Sequence, residues 1–269
     1  HSIKANDMTT KFEAIKMEYT GNRDFMFIPP ITIDDANFLE PPTFNEVINN
    51  ESTVNITDSD GFPINESTTQ SYMGTITHSS ISIPNRALLD TISFLDNGLN
   101  TSKKGYDVLV GSTPKNPRLI PDWFENYDKG MDYDAWKIRV NSPTLGKVVT
   151  TSAAGRYQIV NKTWLNSVDS ITVPFTGNVT NPKNPPFNKD NQDIVANFLL
   201  TTRLKNAGLS TSDIEIATRD INMFDRVLKS LQNEWESIKI LRINGTFRGM
   251  TIRDVYDFFV KAYDVYKGN

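Results

Sequence analysis

Apolar residues recur at helical spacing in the second part of the chain. The stretch NRALLDTISFLDNGLN begins at Asn85 and places Leu88, Ile92 and Leu95 on one face. This pattern predicts a helix that Asn85 caps. The sequence Asp-Asn-Gly that follows favours a turn, so we expect the helix to end near Asp96.

The C-terminal third shows the same periodicity three times. The segment 189–209 predicts a helix that Gly208 stops, and the segment 251–269 predicts one that opens with a capping box between Thr251 and Asp254. Its buried face should hold Val255, Phe258, Phe259 and Ala262. The segment 221–238 predicts one long amphipathic helix. Its apolar stripe consists of Phe224, Val227, Leu228, Leu231, Trp235 and Ile238.

Residues 1–84 differ from the rest of the chain in composition. They contain IPPITIDD, EPPTF and a run rich in Asn, Ser and Thr, which break helices. The run YMGTITHSSISI favours short strands or extended arms. We therefore predict a helix-poor β or extended attachment segment over 1–84, a central domain over 85–240 and a C-terminal helix packed on it over 241–269.

Between the first helix and the later ones lie GYDVLVG, at 105–111, and a long loop of turn-forming residues, at 113–136. The glycines around the apolar run predict a short pair of strands. Helices flanking such a small antiparallel sheet give an α+β fold.

Composition limits the classes of function and the kinds of site that this chain can have. The 269 residues carry a formal net charge of −4, and the chain has two histidines and no cysteine. These values argue against a duplex nucleic-acid binder, a cysteine-containing metal site and Ser–His or Cys–His catalysis. The chain shows no apolar run long enough for a membrane span. Acid–base groups should therefore be carboxylates, and we expect no metal and no cofactor.

The stretch SAAGRYQIVNKTW, from Ser152 to Trp164, sets small residues directly before Arg156, Tyr157 and Gln158. Small residues allow close approach of the backbone, and the three larger side chains offer donors and a flat ring that suit a sugar chain. The alternative is an ordinary turn that opens a helix with its rings in the core.

The order of these motifs resembles that of the phage lambda endolysin family of muramidases, in the lysozyme superfamily. The resemblance rests on a first helix ending in an acid, on GYDVLVG, on SAAGRYQ followed by TW, and on NQD opening a later helix. It covers about 85–240 and implies a lysozyme-like α+β domain. It also implies that the substrate is the glycan of bacterial peptidoglycan, cleaved between MurNAc and GlcNAc.

The resemblance also implies the site residues. Asp96 stands where the family carries its catalytic Glu, and Tyr106, Asp107, Ser152, Arg156, Tyr157 and Gln158 are the implied substrate-binding residues. Arg156 has an alternative role in bracing the site, and Asp107 has one as a structural turn residue. The chain departs from the family at two places, since Asp96 is one methylene shorter than Glu and Lys104 replaces a His.

Two functions follow from these features. The first is a phage-type muramidase or lytic transglycosylase, in the virion or released to the periplasm and cell wall. The second is a weakened lysozyme-like domain that serves as a structural or glycan-binding part of a virion. In both, residues 1–84 are candidates for contact with other virion or tail proteins.

Overall fold

The computed structural model describes residues 72–96, 103–113, 115–124, 126–142 and 144–268. The chain divides into two compact units, His1–Val54 with Leu145–Lys147 and Asn55–Thr144 with Val148–Asn269. The helices and strands below belong to the second unit, apart from Lys147. The predicted helix-poor segment falls mostly on 1–71, which lies outside the described residues, and the predicted domain boundaries stay predictions.

The described residues form helices and two small sheets. In chain order the elements are α1 (Ile83–Asp96), α2 (Tyr133–Trp136), β1 (Ile138–Ser142), β2 (Lys147–Thr151), α3 (Asn161–Val168), α4 (Lys189–Asn206), α5 (Thr211–Ala217), α6 (Ile221–Leu231), α7 (Glu236–Asn244), β3 (Thr246–Phe247), β4 (Met250–Thr251) and α8 (Ile252–Gly268). Strand β1 pairs with β2, and β3 pairs antiparallel with β4. The α+β prediction is confirmed.

Helix α1 ends at Asp96 as predicted but begins at Ile83, before the expected cap. Pro84 fits the first turn, where its missing N–H needs no partner. Asn85 is therefore not the cap. Its side chain is buried within the helix, and its Nδ2 donates to Oδ1 of Asn197 in α4 over 2.8 Å.

The predicted strands in YMGTITHSSISI are wrong for the described part of that run. From Met73 to Ser82 the backbone forms turns and irregular structure. Tyr72, Ile76 and Ile81 are nevertheless buried in the core. Tertiary contacts hold this segment, because Asp90 of α1 accepts the N–H of Gly74 over 2.9 Å.

The helix predicted over 221–238 is two helices, α6 and α7. The whole predicted apolar stripe is buried. The spacing from Leu231 to Trp235 to Ile238 remains helical in sequence, so periodicity cannot reveal the break. The break places the start of α7 at Glu236.

The other helix predictions are confirmed. Helix α4 ends before Gly208, and Thr251 caps α8 through bonds exchanged with Asp254. Helix α8 packs along α1, where Phe258 stacks on Phe94 with ring centroids 4.4 Å apart. The predicted face of α8 is buried.

Candidate functional site

Asp96 is the last residue of α1, directly after buried Leu95. Asp96 is partly exposed as a residue, while its carboxyl group is buried against Ser237 at the start of α7. The charge of Arg248, from the turn between β3 and β4, also acts on it. Helix α1 thus places Asp96 near α7 and near the β3–β4 turn.

Burial raises the pKa of Asp96 from 3.8 to about 7. The hydroxyl and amide of Ser237 and the charge of Arg248 act in the opposite direction, whereas the charge of Glu236 raises the pKa further. A carboxyl group with a pKa near 7 holds its proton in a good fraction of molecules at neutral pH. It can therefore act as a proton donor.

Glu236 is a carboxylate that the sequence pattern does not single out, because it falls inside the helix predicted over 221–238. It opens α7, and its Oε1 accepts hydrogen bonds from Ser142 Oγ at 2.6 Å and Thr144 Oγ1 at 2.6 Å. The backbone N–H of Thr144 reaches the same atom over 3.3 Å. Glu236 therefore fastens the end of β1 to α7 beside the acid.

Arg156 lies fully buried and extends to three segments. Its Nη2 donates to Asp90 Oδ1 and to the carbonyl of Tyr72, both over 2.8 Å. Its Nη1 donates to the carbonyl of Lys104 over 2.7 Å. These contacts fit the alternative role of Arg156, which is to brace the site instead of contacting sugar.

Tyr106 and Tyr157, one from each motif, meet at a second buried carboxylate. Their hydroxyls donate to Asp193 Oδ1 over 2.8 and 2.6 Å. Burial raises the pKa of Asp193 from 3.8 to about 7, and these hydrogen bonds and the charge of Arg156 partly oppose it. The guanidinium of Arg156 lies 5.2 Å from the Tyr106 ring and 6.0 Å from the Tyr157 ring.

Gln192 joins the same two motifs through backbone groups. Its Oε1 accepts the N–H of Arg156 over 3.0 Å, and its Nε2 donates to the carbonyl of Tyr106 over 3.0 Å. Leu109 and Ala154 also form an isolated antiparallel bridge. The strand pair predicted within the first motif is therefore wrong, since that motif pairs with the second one instead.

The conformation and close surroundings of Gly155 explain why a small residue precedes Arg156. It has a φ of +75°, and a Cβ atom there would lie 2.1 Å from Gln192 Oε1 and 2.9 Å from the Phe187 ring. The backbone does approach another group closely at this point. That group is the amide of Gln192 in the protein core.

The other predicted site residues lie around this network. Ser152 is buried and its Oγ accepts the N–H of Asn161, and Asp107 is also buried, with its carbonyl accepting the N–H of Ile120. Gln158 is half-buried and donates to the carbonyl of Gly155 over 2.9 Å.

The structure thus brings Tyr106, Arg156 and Tyr157 together in the core, while Asp96 lies against α7 and the β3–β4 turn. The buried residues stabilise the domain from within. Their predicted contacts with sugar stay predictions. Within SAAGRYQ, Gln158 is the residue that is partly exposed.

The described residues contain no group of three or more acidic or histidine side chains arranged to hold a metal ion. None of their helices combines the length and apolar character needed to cross a bilayer.

Comparison with models of known protein families gives a match. The family described as Endolysin matches residues 86–238, which is more than half of the chain. The matched region begins in α1 and ends in α7, so it includes Asp96, both motifs and Glu236. No curated protein and no solved structure gives a significant match.

Proposed function

The chain belongs to the Endolysin family of phage proteins that degrade peptidoglycan, and we propose that it cleaves the MurNAc–GlcNAc bond with Asp96 as the proton donor. The observation that carries this proposal is the raised pKa of Asp96 at the end of α1. Glycosidic cleavage needs a carboxylic acid that stays protonated near neutral pH to protonate the leaving oxygen.

The surroundings of Asp96 suit this role. Lys104 stands where the family carries a His, and an ammonium group beside the acid would lower the pKa of Asp96. The cation that acts on Asp96 is instead Arg248, and its effect is smaller than that of burial. The acid therefore keeps a proton that can be transferred.

We propose the lytic transglycosylase route over hydrolysis. Asp96 gives its proton to the glycosidic oxygen as the bond from that oxygen to the muramyl C1 breaks. The C6 hydroxyl of the same muramyl residue then attacks C1, and its proton returns to the Asp96 carboxylate. The product is a 1,6-anhydro end, and no water is consumed.

Glu236 supports this choice. It is the carboxylate whose charge acts on Asp96, and its Oε1 already accepts hydrogen bonds from Ser142 and Thr144. A carboxylate held in this way is suited to positioning the end of β1 rather than to activating a water molecule. We therefore assign Glu236 a positioning role.

The short side chain of Asp96 favours a second function. The Asp96 carboxyl is one methylene shorter than that of Glu, and a displacement of ~1 Å from the reacting atoms can reduce a rate about a hundredfold. In this case the domain is a weakened, glycan-binding or structural part of the virion. Residues 1–84 are candidates in both functions for attachment to other virion or tail proteins.

Purified peptidoglycan tests these functions. Wild type, Asp96→Asn, Asp96→Glu and the exposed control Asp169→Asn are incubated with it, and soluble products are analysed by mass spectrometry. We expect 1,6-anhydro products from wild type and from the control, none from Asp96→Asn, and an increased yield from Asp96→Glu.

Reducing ends without anhydro products would contradict the transglycosylase route. Products no greater than those of the buffer for wild type and Asp96→Glu would exclude the enzyme and leave the structural function. Circular dichroism confirms that each variant is folded, so that loss of activity is not mistaken for unfolding.

A further inference from the structure

A cavity of about 280 Å³, which Asp96 does not line, lies between the segment that precedes the first motif and the start of α4. That volume is room for a small peptide group. Its lining residues are Gly74, Thr75, Thr77, Lys103, Lys104, Tyr106, Trp123 and Lys189.

The cavity has a strongly cationic wall. Among the described residues it is lined by three lysines, Lys103, Lys104 and Lys189, and by no acidic side chain. Within the ranges that the structure describes, none of the three amines forms an ion pair. The nearby buried carboxylates have other hydrogen-bond partners, since Asp90 pairs with Arg156 and Asp193 accepts the tyrosine hydroxyls, although the charge of Lys189 also acts on Asp193.

Lys104 is held in a conformation that non-glycine residues seldom adopt. Its φ is +54°, and its carbonyl accepts the hydrogen bond from Arg156 Nη1 over 2.7 Å. A left-handed backbone at a residue with a Cβ costs energy and persists where the surroundings enforce it. The buried guanidinium thus fixes the backbone from which one of the three amines extends.

A second wall of the cavity is aromatic and rigid. The rings of Tyr106 and Trp123 lie nearly parallel, with centroids 6.0 Å apart, and the Lys189 amine lies 5.9 Å from the centre of the Tyr106 ring. The Tyr106 hydroxyl is anchored to Asp193. Ammonium groups beside a flat ring and the hydroxyl of Thr77 suit an anionic group carried on a short, partly apolar chain. The Thr75 hydroxyl is not available to it, since it donates to Asp90 Oδ1 over 3.3 Å.

We infer that this cavity binds a carboxylate of the acidic peptide stems of peptidoglycan. The inference rests on the proposed function for the identity of the polymer, and it adds to that function a contact with the peptide. Asp96 would act on the glycan, while the lysines hold a stem that carries carboxylates. A free phosphate shares the negative charge but lacks the chain that the aromatic wall would contact.

Isothermal titration calorimetry of the full chain with the tripeptide L-Ala-γ-D-Glu-diaminopimelate tests this inference. The triple variant Lys103→Gln, Lys104→Gln, Lys189→Gln is compared with a control of equal charge, Lys162→Gln, Lys205→Gln, Lys261→Gln, whose lysines are all exposed on other surfaces. We expect the cavity variant to bind at least roughly tenfold more weakly, equivalent to about 1.4 kcal/mol, and the control to bind like wild type.

Two ligand controls complete the experiment. The tripeptide with all carboxylates amidated should not bind, and inorganic phosphate should compete poorly. Equal binding by the cavity variant and the control would overturn the inference. Phosphate that displaces the tripeptide at equal concentration would overturn it as well, because the site would then recognise charge alone.

The binding assay is independent of cleavage. Lysine-dependent binding without any cleavage of peptidoglycan would contradict the proposed enzyme but support the cavity. Cleavage with no lysine-dependent binding would contradict only the cavity. Both outcomes are read on the same protein preparations.

Discussion

Arg156 Nη2 donates to Asp90 Oδ1 over 2.8 Å, and both side chains are completely shielded from solvent. The pair connects the second sequence motif to the middle of α1, the helix that ends in Asp96. Buried charges of this kind need hydrogen bonds to offset their lost hydration. Both Nη atoms of Arg156 have them, whereas its Nε has no partner among the described residues. Asp90 also accepts bonds from Gly74 N and Tyr266 Oη, so the carboxylate joins the beginning and end of the described chain to α1.

Arg156→Lys should destabilise the protein by about 3 kcal/mol. A single ammonium group cannot replace a guanidinium that reaches Asp90 and the carbonyls of Tyr72 and Lys104 together. Chemical denaturation measures the loss. The control is Arg253→Lys, in an exposed pair with Asp257, which should change the free energy of unfolding by less than about 0.5 kcal/mol. Equal effects at the two sites would contradict the bracing role.

Glu236→Gln should move the pH dependence of cleavage toward acid. A proton donor loses activity as the pH rises through its pKa, which for Asp96 is about 7. The Glu236 charge raises that pKa, so its removal lowers it and the alkaline limb of the activity profile shifts to lower pH. Glutamine retains an oxygen that can accept from Ser142.

The measurement is the rate of peptidoglycan solubilisation between pH 5 and pH 9, with exposed Asp264→Asn as the control for a change in net charge. An alkaline limb that stays in place for Glu236→Gln, or that moves equally in both variants, would show that Glu236 does not act on the donor.

Asp96→Asn should stabilise the protein at alkaline pH relative to wild type. The folded state raises the pKa of Asp96 above its value in the unfolded chain, so the folded state holds the proton more tightly between about pH 4 and pH 7. Wild-type stability therefore falls as pH rises through this window. Each pKa unit corresponds to about 1.36 kcal/mol, and partial exposure reduces the effect to on the order of 1–2 kcal/mol.

Urea denaturation of both proteins at pH 4 and pH 8 checks this prediction. The difference between the two proteins is the quantity to compare, because Asp193 also has a raised pKa and affects both equally. A difference that does not change with pH would mean that Asp96 titrates normally in the folded state.

The sequence was most informative where local chemistry decides structure. The stop at Gly208, the capping box of Thr251 and Asp254, and the apolar faces of α6 and α8 could all be predicted, because each depends on neighbouring residues alone. The end of α1 at Asp96 belongs to the same group. The family resemblance was visible from the order of two short motifs.

Long-range contacts explain what the sequence did not reveal. The strand β1 and its neighbour β2 were not predicted, although the turn-forming residues between them are a signal for a hairpin. Glu236 was missed because its role depends on a helix break and on two hydroxyls more than 90 residues away. Tyr157 was open to two interpretations, a sugar contact or a ring in the core, because the sequence does not show its buried partner Asp193, which comes from α4.

Gly155→Ala should destabilise the protein by about 3 kcal/mol or more, because two penalties combine. The φ of +75° disfavours any residue with a Cβ, and the added atom would lie 2.1 Å from Gln192 Oε1. Gln192 cannot move away without losing its hydrogen bonds to Arg156 N and to the carbonyl of Tyr106. Both motifs should therefore loosen together.

Gly208→Ala separates the two penalties. Gly208 has a similar φ of +67°, but nothing lies within 4 Å of the position that a Cβ would take. This substitution should lower the free energy of unfolding by backbone strain alone, which is roughly 1–2 kcal/mol. Thermal and urea denaturation of both variants measure the difference, which reports the close approach of Gly155 to Gln192. If the two substitutions cost the same, the glycine in SAAGRYQ serves the turn alone, and the contact between the motif and α4 does not require it.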